Sequence, residues 1–155
     1  MLRMLSRLAL VICLLGTLAA CDSSRPKDKW VEARQTVYPA GGVVTLDGIP
    51  LAGATVTFRP AGDGVACAGI TDEKGAFQMT TYETFDGATE GEFLVTVSKF
   101  EVPVPPANYN ADTMPPLPAP KLITPGKYAE FEKSGLTVKV GKGEPNRFEF
   151  SLNSK

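Results

Sequence analysis

The chain contains no histidine among its 155 residues. Histidine is the side chain best suited to acid–base chemistry near neutral pH, a common metal ligand, and the usual partner of a serine or cysteine nucleophile. Its absence argues against catalysis. From the sequence we expect a protein that is not an enzyme and that carries no cofactor and no metal.

Cysteine is also scarce, with Cys13, Cys21 and Cys67 as the three examples. Cys13 lies in an apolar segment that we expect to be removed. Cys21 ends the sequence L-A-A-C, whose resemblance to a lipobox implies that its thiol is acylated. Cys67 would then be the one cysteine thiol of the mature chain, which excludes an intrachain disulfide. We expect Cys67 to be an inert core thiol, because it lies between two alanines with no basic neighbour.

The apolar run at the start of the chain is short. It covers thirteen residues, 8–20, whereas a helix needs about 20 to cross the hydrocarbon core of a bilayer. Arg3 and Arg7 precede the run and small residues end it, which is typical of an export signal. We predict that residues 1–20 are a cleaved signal peptide.

The end of this run, L-A-A-C at residues 18–21, resembles the lipobox of bacterial lipoproteins. The resemblance implies that Cys21 is acylated and that membrane lipid is a partner of the mature chain. Two alternatives stay open. An ordinary secretory signal is disfavoured by Leu18 at the minus-three position, and an uncleaved anchor is disfavoured by its length. The predicted location is the cell envelope, after export across the cytoplasmic membrane, and Asp22 leaves inner versus outer membrane open.

The charge of the mature chain is unremarkable. Loss of residues 1–20 would remove two of the 16 basic residues, leaving 14 against 17 acidic residues and a formal charge of −3. Basic residues form no extended cluster, so a nucleic-acid partner is not expected. We interpret residues 21–36 as the lipidated cysteine followed by a polar tether, and residues 37–155 as one domain.

Alternation of apolar and polar residues dominates the domain and predicts half-buried strands. We predict seven strands. Six segments show the alternation: 43–46, 54–58, 77–79, 93–97, 136–140 and 148–152. The remaining strand, 66–71, is rich in small residues. A type I turn with Asp72 first and Gly75 fourth predicts a hairpin between 66–71 and 77–79. The pattern favours an all-β fold, a seven-stranded antiparallel Greek-key β-sandwich.

One stretch interrupts the alternation. Residues 101–125 contain eight prolines, including the runs VPVPP and PPLPAP, so they cannot form a central strand. A polyproline-like crossover lying along the sandwich is one interpretation. A recognition segment for an aromatic-lined groove is the other.

Several segments together carry a family resemblance. GVVTLDGIPLAGATVTF (42–58), GITDEKGAF (69–77), GEFLVTV (91–97) and NRFEF (146–150) resemble carboxypeptidase regulatory-like, transthyretin-like domains. The resemblance implies a prealbumin-like sandwich that accompanies other envelope machinery, usually without catalysis. The enzymatic branch that uses histidines and a C-terminal Tyr-Arg-Gly-Ser is not matched, since the chain ends in SLNSK.

Candidate ligand-binding residues are the aromatic side chains of the predicted loops, Tyr82, Phe85 and Tyr109, which could serve as a platform for a sugar. The acidic residues between 83 and 92 match no calcium-loop spacing, and we interpret them as a solvated loop. The first hypothesis is a non-enzymatic, lipid-anchored sandwich acting as a structural or protein-interaction module with an envelope partner. The alternative is a carbohydrate- or peptide-binding module that uses loop 82–91 or loop 101–125.

Overall fold

The computed structural model describes residues 29–155. The predicted signal peptide 1–20, the candidate lipidation site Cys21 and the first part of the tether lie outside the described residues. The chain divides into two compact units, Met1–Arg34 and Gln35–Lys155. Strands make up 39% of the structure and helices 8%, which confirms the all-β class. Between residues 29 and 155, no helix has the length and apolar character needed to span a bilayer.

Twelve strands, most of them short, lie within the described residues. They are β1 Val37–Tyr38, β2 Gly41–Leu46, β3 Ile49–Pro50, β4 Thr55–Pro60, β5 Cys67–Ile70, β6 Ala76–Gln78, β7 Ala88–Thr89, β8 Gly91–Ser98, β9 Phe100–Glu101, β10 Lys121–Leu122, β11 Leu136–Val140 and β12 Arg147–Leu152. The helical segments are α1 Lys29–Glu32, a 3₁₀ turn Gly126–Ala129 and α2 Phe131–Ser134. Each of the seven predicted strands coincides with an observed strand: β2, β4, β5, β6, β8, β11 and β12.

Sheet A contains four strands in the order β11-β8-β4-β5, and every neighbouring pair is antiparallel. Its inward positions are the apolar ones that the alternation predicted. In β4, Val56 and Phe58 are completely buried, whereas Thr55 is exposed. The β-branched and aromatic residues of these strands suit a pleated surface with one buried face.

Sheet B is built around β2. One edge of β2 is shared by β3 and β6, which are antiparallel to it, and the other edge pairs with β12. The β12–β2 pair is parallel, with Arg147 opposite Gly41 and Leu152 opposite Leu46. The expectation of antiparallel pairing throughout is therefore wrong at this pair. Segment 141–146 carries the chain from sheet A to sheet B, so β12 arrives beside β2 running in the same direction, without a hairpin to reverse it.

Asn146 fixes the place where β12 begins. Its side chain donates to the carbonyl oxygens of Pro39 and Gly141, at 3.2 and 3.1 Å, and accepts the N–H of Gly141 at 3.0 Å. The strands then approach closely at Gly42, because a Cβ there would overlap the carbonyl oxygen of Phe148. Glycine at this position is thus a packing requirement of the parallel pair.

The core is a single cluster centred on Phe58. The Phe58 ring lies 5.8–6.4 Å from the rings of Phe77, Phe93, Phe148 and Phe150, which come from both sheets. Three of these contacts are edge-on and the one with Phe93 is tilted, and such ring contacts add to the free energy of burying apolar area. The two sheets are therefore joined by an aromatic cluster as well as by the aliphatic strand residues.

The predicted turn at Asp72 is confirmed. The N–H of Gly75 donates to the carbonyl oxygen of Asp72 at 2.9 Å, and Gly75 has a positive φ of 74°. The carboxylate of Asp72 also accepts the N–H of Lys74 and of Ala76. The hairpin expected around this turn is not formed, because β5 pairs with β4 in sheet A and β6 pairs with β2 in sheet B. The turn instead carries the chain from one sheet to the other, and an isolated antiparallel bridge between Ala68 and Thr80 connects their edges.

Candidate functional site

The loop of residues 80–87 is organised by the carboxylate of Asp86. Its Oδ1 accepts the N–H of Thr81 at 2.7 Å, and its Oδ2 accepts the N–H groups of Tyr82 and Glu83 at 3.0 and 2.9 Å. Partial burial raises the pKa of Asp86, but the hydrogen bonds from these backbone N–H groups outweigh it and hold the pKa below its usual value. The carboxylate of Asp86 therefore stabilises the backbone conformation of this loop.

Phe85 is the conformational outlier of this loop. Its φ is +60°, and its side chain is 61% exposed. A left-handed conformation costs a non-glycine residue about 1–2 kcal/mol, and solvent exposure of a phenyl ring adds no compensating burial. The Oγ1 of Thr80 accepts the N–H of Phe85 at 3.0 Å and holds the conformation in place. Retained strain of this kind is common at ligand-binding positions.

Tyr82 has a different role. It is half-buried, and its hydroxyl oxygen accepts the backbone N–H of Gln35, the first residue of the larger unit, at 3.1 Å. Two residues later β1 pairs with β7, Val37 opposite Thr89. The polar segment that precedes the domain therefore joins it beside loop 80–87, at the start of β8.

The proline-rich segment leaves from the other end of β8. Strands β9 and β10 pair at its base, and the N–H of Lys99 donates to the buried Thr124 hydroxyl at 3.2 Å. Because β8 has eight residues and a strand rises ~3.3 Å per residue, the two ends of β8 lie about 25 Å apart. We call residues 102–120 the arm.

Tyr109 belongs to the arm and serves its internal structure. The Tyr109 hydroxyl donates to the carbonyl oxygen of Pro115 at 3.1 Å, across a turn in which the N–H of Met114 donates to the carbonyl oxygen of Asn110. Tyr109 therefore belongs to a segment that leaves the domain at the opposite end of β8 from loop 80–87. The structure brings Tyr82 and Phe85 into one loop but does not bring Tyr109 to them.

The arm projects from the sandwich. Only Pro103 and Tyr109 are partly buried within it, whereas Val104 is 88% and Val102 65% exposed. The interpretation of a crossover lying along the sandwich does not describe this segment. An arm of exposed prolines and valines, paired only at its base, presents an apolar surface to solvent.

An open groove of about 560 Å³ lies on the outward face of sheet B, next to Phe85. Cross-strand register explains its shape. Arg147 of β12 and Gln78 of β6 are both opposite Gly41 of β2, so a position without a side chain separates two polar side chains. The next outward row places Glu149 opposite Val43. Phe85 and Ile70, both largely exposed, also line the groove: the latter is 70% exposed.

Sequence reasoning did not find this groove. Gly41, Gln78 and Arg147 lie far apart in the chain and meet only through the register of three strands. The outward positions of β2 and β12 were visible from the alternation, but the parallel pairing that aligns them was not.

Residues 29–155 contain no group of three or more metal-ligating side chains. Cys67 is buried, and burial raises the pKa of its thiol to about 11. A thiol with this pKa is protonated at neutral pH, which agrees with its interpretation as a core residue.

Comparison with known proteins gives no relative: no family model, no curated protein and no solved structure matches the chain.

Proposed function

We propose that this protein is a lipid-anchored, non-enzymatic β-sandwich that serves as a protein-interaction module in the bacterial cell envelope. The observation that carries the proposal is the arrangement along β8. The chain joins the domain at the first end of this strand, through Gln35 and Tyr82, and the arm leaves from the second end. The apolar arm therefore leaves the domain at the end of β8 remote from Gln35, and its exposed side chains are open to another protein.

The proposed anchor is acylated Cys21, and membrane lipid is the corresponding partner. The support is the lipobox resemblance at residues 18–21 together with the polar composition of the segment that follows. The proposed fold type is the seven-stranded Greek-key sandwich of carboxypeptidase regulatory-like domains. Its support is that all seven patterned segments form strands in two sheets around one core.

The arm supports a protein partner through its chemistry. It contains the P-x-x-P pattern twice, at residues 103–106 and 115–118, and such segments adopt an extended conformation that docks into aromatic-lined grooves with little loss of entropy. Six apolar side chains in and beside it are more than one third exposed; these are Phe100, Val102, Val104, Met114, Leu117 and Ile123.

The anchor is tested by metabolic labelling with a clickable fatty acid. We expect label in the wild-type chain and in Cys13→Ser, which is the matched control within the signal, and no label in Cys21→Ser. Acylation of Cys21→Ser at the wild-type level would contradict the anchor.

The interaction role is tested by crosslinking in cells with a photoreactive residue at Val104 or Leu117. The control position is Thr137, an exposed residue of β11. We expect one defined envelope protein to be captured from the arm positions, and the purified partner to bind a synthetic peptide of residues 101–121. Equal capture from Thr137, or no binding of the peptide, would contradict the role of the arm.

A further inference from the structure

The outward face of sheet B is suited to bind a ligand through side chains and not through the backbone of an edge strand. Both edges of Gly41–Val43 are occupied, by β12 on one side and β6 on the other. An added peptide strand therefore finds no open backbone edge at the floor of the groove. What the floor offers instead is a bare glycine backbone between the side chains of Arg147 and Gln78.

These polar side chains are available for a ligand. Within residues 29–155, the side chains of Gln78, Arg147 and Glu149 take part in no hydrogen bond or ion pair of the structure. Because neighbouring strands are ~4.8 Å apart, the backbones of Arg147 and Gln78 are separated by about 10 Å across Gly41. Amide, guanidinium and carboxylate groups at this spacing can share donors and acceptors with several hydroxyl groups of one ligand.

The apolar part of the groove is supplied by Phe85, Ile70 and Val43. The backbone of Phe85 is held in a left-handed conformation by the hydrogen bond to Thr80, which fixes the position from which its exposed ring lines the groove. A backbone that is ordered before the ligand arrives lowers the entropic cost of binding.

The charge of the groove narrows the class of ligand. Among the residues that line it, Arg147 carries a positive charge, and Asp72 and Glu149 carry negative charges. The balance is slightly negative, which disfavours an anionic ligand. A ligand with an apolar face for Phe85 and hydroxyl groups for planar polar side chains is a pyranose sugar.

We propose that this groove binds a neutral glycan, with the Phe85 ring against a sugar face and Gln78, Arg147 and Glu149 hydrogen-bonded to its hydroxyl groups. The proposal depends on neither the arm nor the lipid anchor, so its failure would leave the proposed interaction role untouched.

The test is a titration of the full chain, in a detergent without a sugar headgroup, with cellohexaose, xylohexaose, mannohexaose and maltohexaose. Hexagalacturonate serves as the anionic comparison. We expect at least one neutral oligosaccharide to bind and to shift the amide resonances of Gly41, Gln78 and Arg147. No binding by any neutral oligosaccharide at millimolar concentration, or binding by hexagalacturonate alone, would overturn the proposal.

The decisive variant is Phe85→Gly. Glycine adopts a positive φ without strain, so this change removes the ring without threatening the fold, and the unfolding midpoint should not fall. We expect affinity for the oligosaccharide to drop about tenfold or more, and Gln78→Ala to weaken binding as well. Phe100→Ala, which alters a similarly exposed ring in β9 outside the groove, should bind as the wild type does. Wild-type affinity in both Phe85→Gly and Gln78→Ala would refute the site.

Discussion

The carboxylate of Asp86 lies 2.7 Å from the backbone nitrogen of Thr81 and accepts its hydrogen bond. Two further N–H groups of the same loop donate to the other carboxylate oxygen. One side chain thus accepts three backbone N–H groups of loop 80–87, while the Thr80 hydroxyl accepts the N–H of the strained residue Phe85.

Replacing Asp86 by alanine should therefore destabilise the domain. Hydrogen bonds to a charged group contribute about 1.5–3 kcal/mol, and we expect a loss of this size in the free energy of unfolding, measured with urea. Asp63→Ala, at an exposed aspartate in a bend, is the matched control and should be neutral. An equal effect in the two variants would disprove the role of Asp86.

The same carboxylate gives a pH dependence with a defined sign. The hydrogen bonds hold the pKa of Asp86 below its value in the unfolded chain, so the stabilisation is present above the unfolded pKa of ~3.9 and is lost as the pH falls through the folded pKa. The difference in unfolding free energy between wild type and Asp86→Asn should shrink on acidification below about pH 4. A difference that is constant from pH 6 to pH 2 would be inconsistent with this linkage.

Removal of the central ring should be the most costly core change. Phe58 is completely buried and faces four other rings, so Phe58→Ala should cost about 3–5 kcal/mol. Phe148 is only half-buried, and Phe148→Ala should cost less. Urea unfolding of both variants, with Phe100→Ala as an exposed control, ranks them; a larger loss for Phe148→Ala would contradict the position of Phe58 as the centre of the core.

A buried hydroxyl offers a stabilising substitution. The Oγ1 of Thr89 is buried and has no hydrogen-bond partner among the described residues. Thr89→Val replaces it by a methyl group of similar shape and should raise the free energy of unfolding by about 1 kcal/mol.

The hydroxyl of Thr71 is also buried but, unlike that of Thr89, it has hydrogen-bond partners. It donates to the carbonyl oxygen of Leu51 at 2.6 Å and accepts the N–H of Ala54 at 2.8 Å. Thr71→Val leaves both groups unpaired and should cost about 1–3 kcal/mol. The two Thr→Val changes should move the thermal midpoint in opposite directions, and shifts of the same sign would be evidence against the assigned hydrogen bonds.

Alkaline pH should weaken the fold through Cys67. Burial raises the pKa of its thiol from 9.0 to about 11, so above pH 9 the unfolded chain loses a proton that the folded chain retains. Stability then falls as the pH rises from 9 to 11, by about 2–3 kcal/mol in total. Cys67→Ala should lack this component of the pH profile; identical slopes in the two chains over this range would exclude it.

Local pattern was sufficient for the seven longer strands, but it missed the five two-residue strands and did not give the arrangement of the sheets. The alternation around Val56, Val95 and Phe150 marks inward residues, and Asp72 with Gly75 marks a turn, because both signals act over a few neighbouring residues. The parallel pairing of β12 with β2 depends instead on groups such as Asn146 and Pro39, which are 107 residues apart. No short-range signal encodes such a contact.

At the candidate site, too, the sequence identified residue types but did not reveal their conformation or contacts. Phe85 was recognisable as an aromatic loop residue, but its positive φ was not, since phenylalanine does not mark that conformation as glycine or asparagine does. Tyr82 was selected for the same reason as Phe85, yet its hydroxyl is engaged by Gln35. Which of two similar aromatic residues is available to a ligand is decided by contacts beyond the loop.

The parallel pairing of β2 with β12 also determines how late in synthesis sheet B can be completed. One edge of the central strand of sheet B stays without its partner until residues 147–152 have left the ribosome, and pairings this distant in sequence form slowly. Until then, the residues of β2 that later pair with β12 have no partner on that edge. Sheet B is therefore completed only after nearly the whole of the described chain has been synthesised.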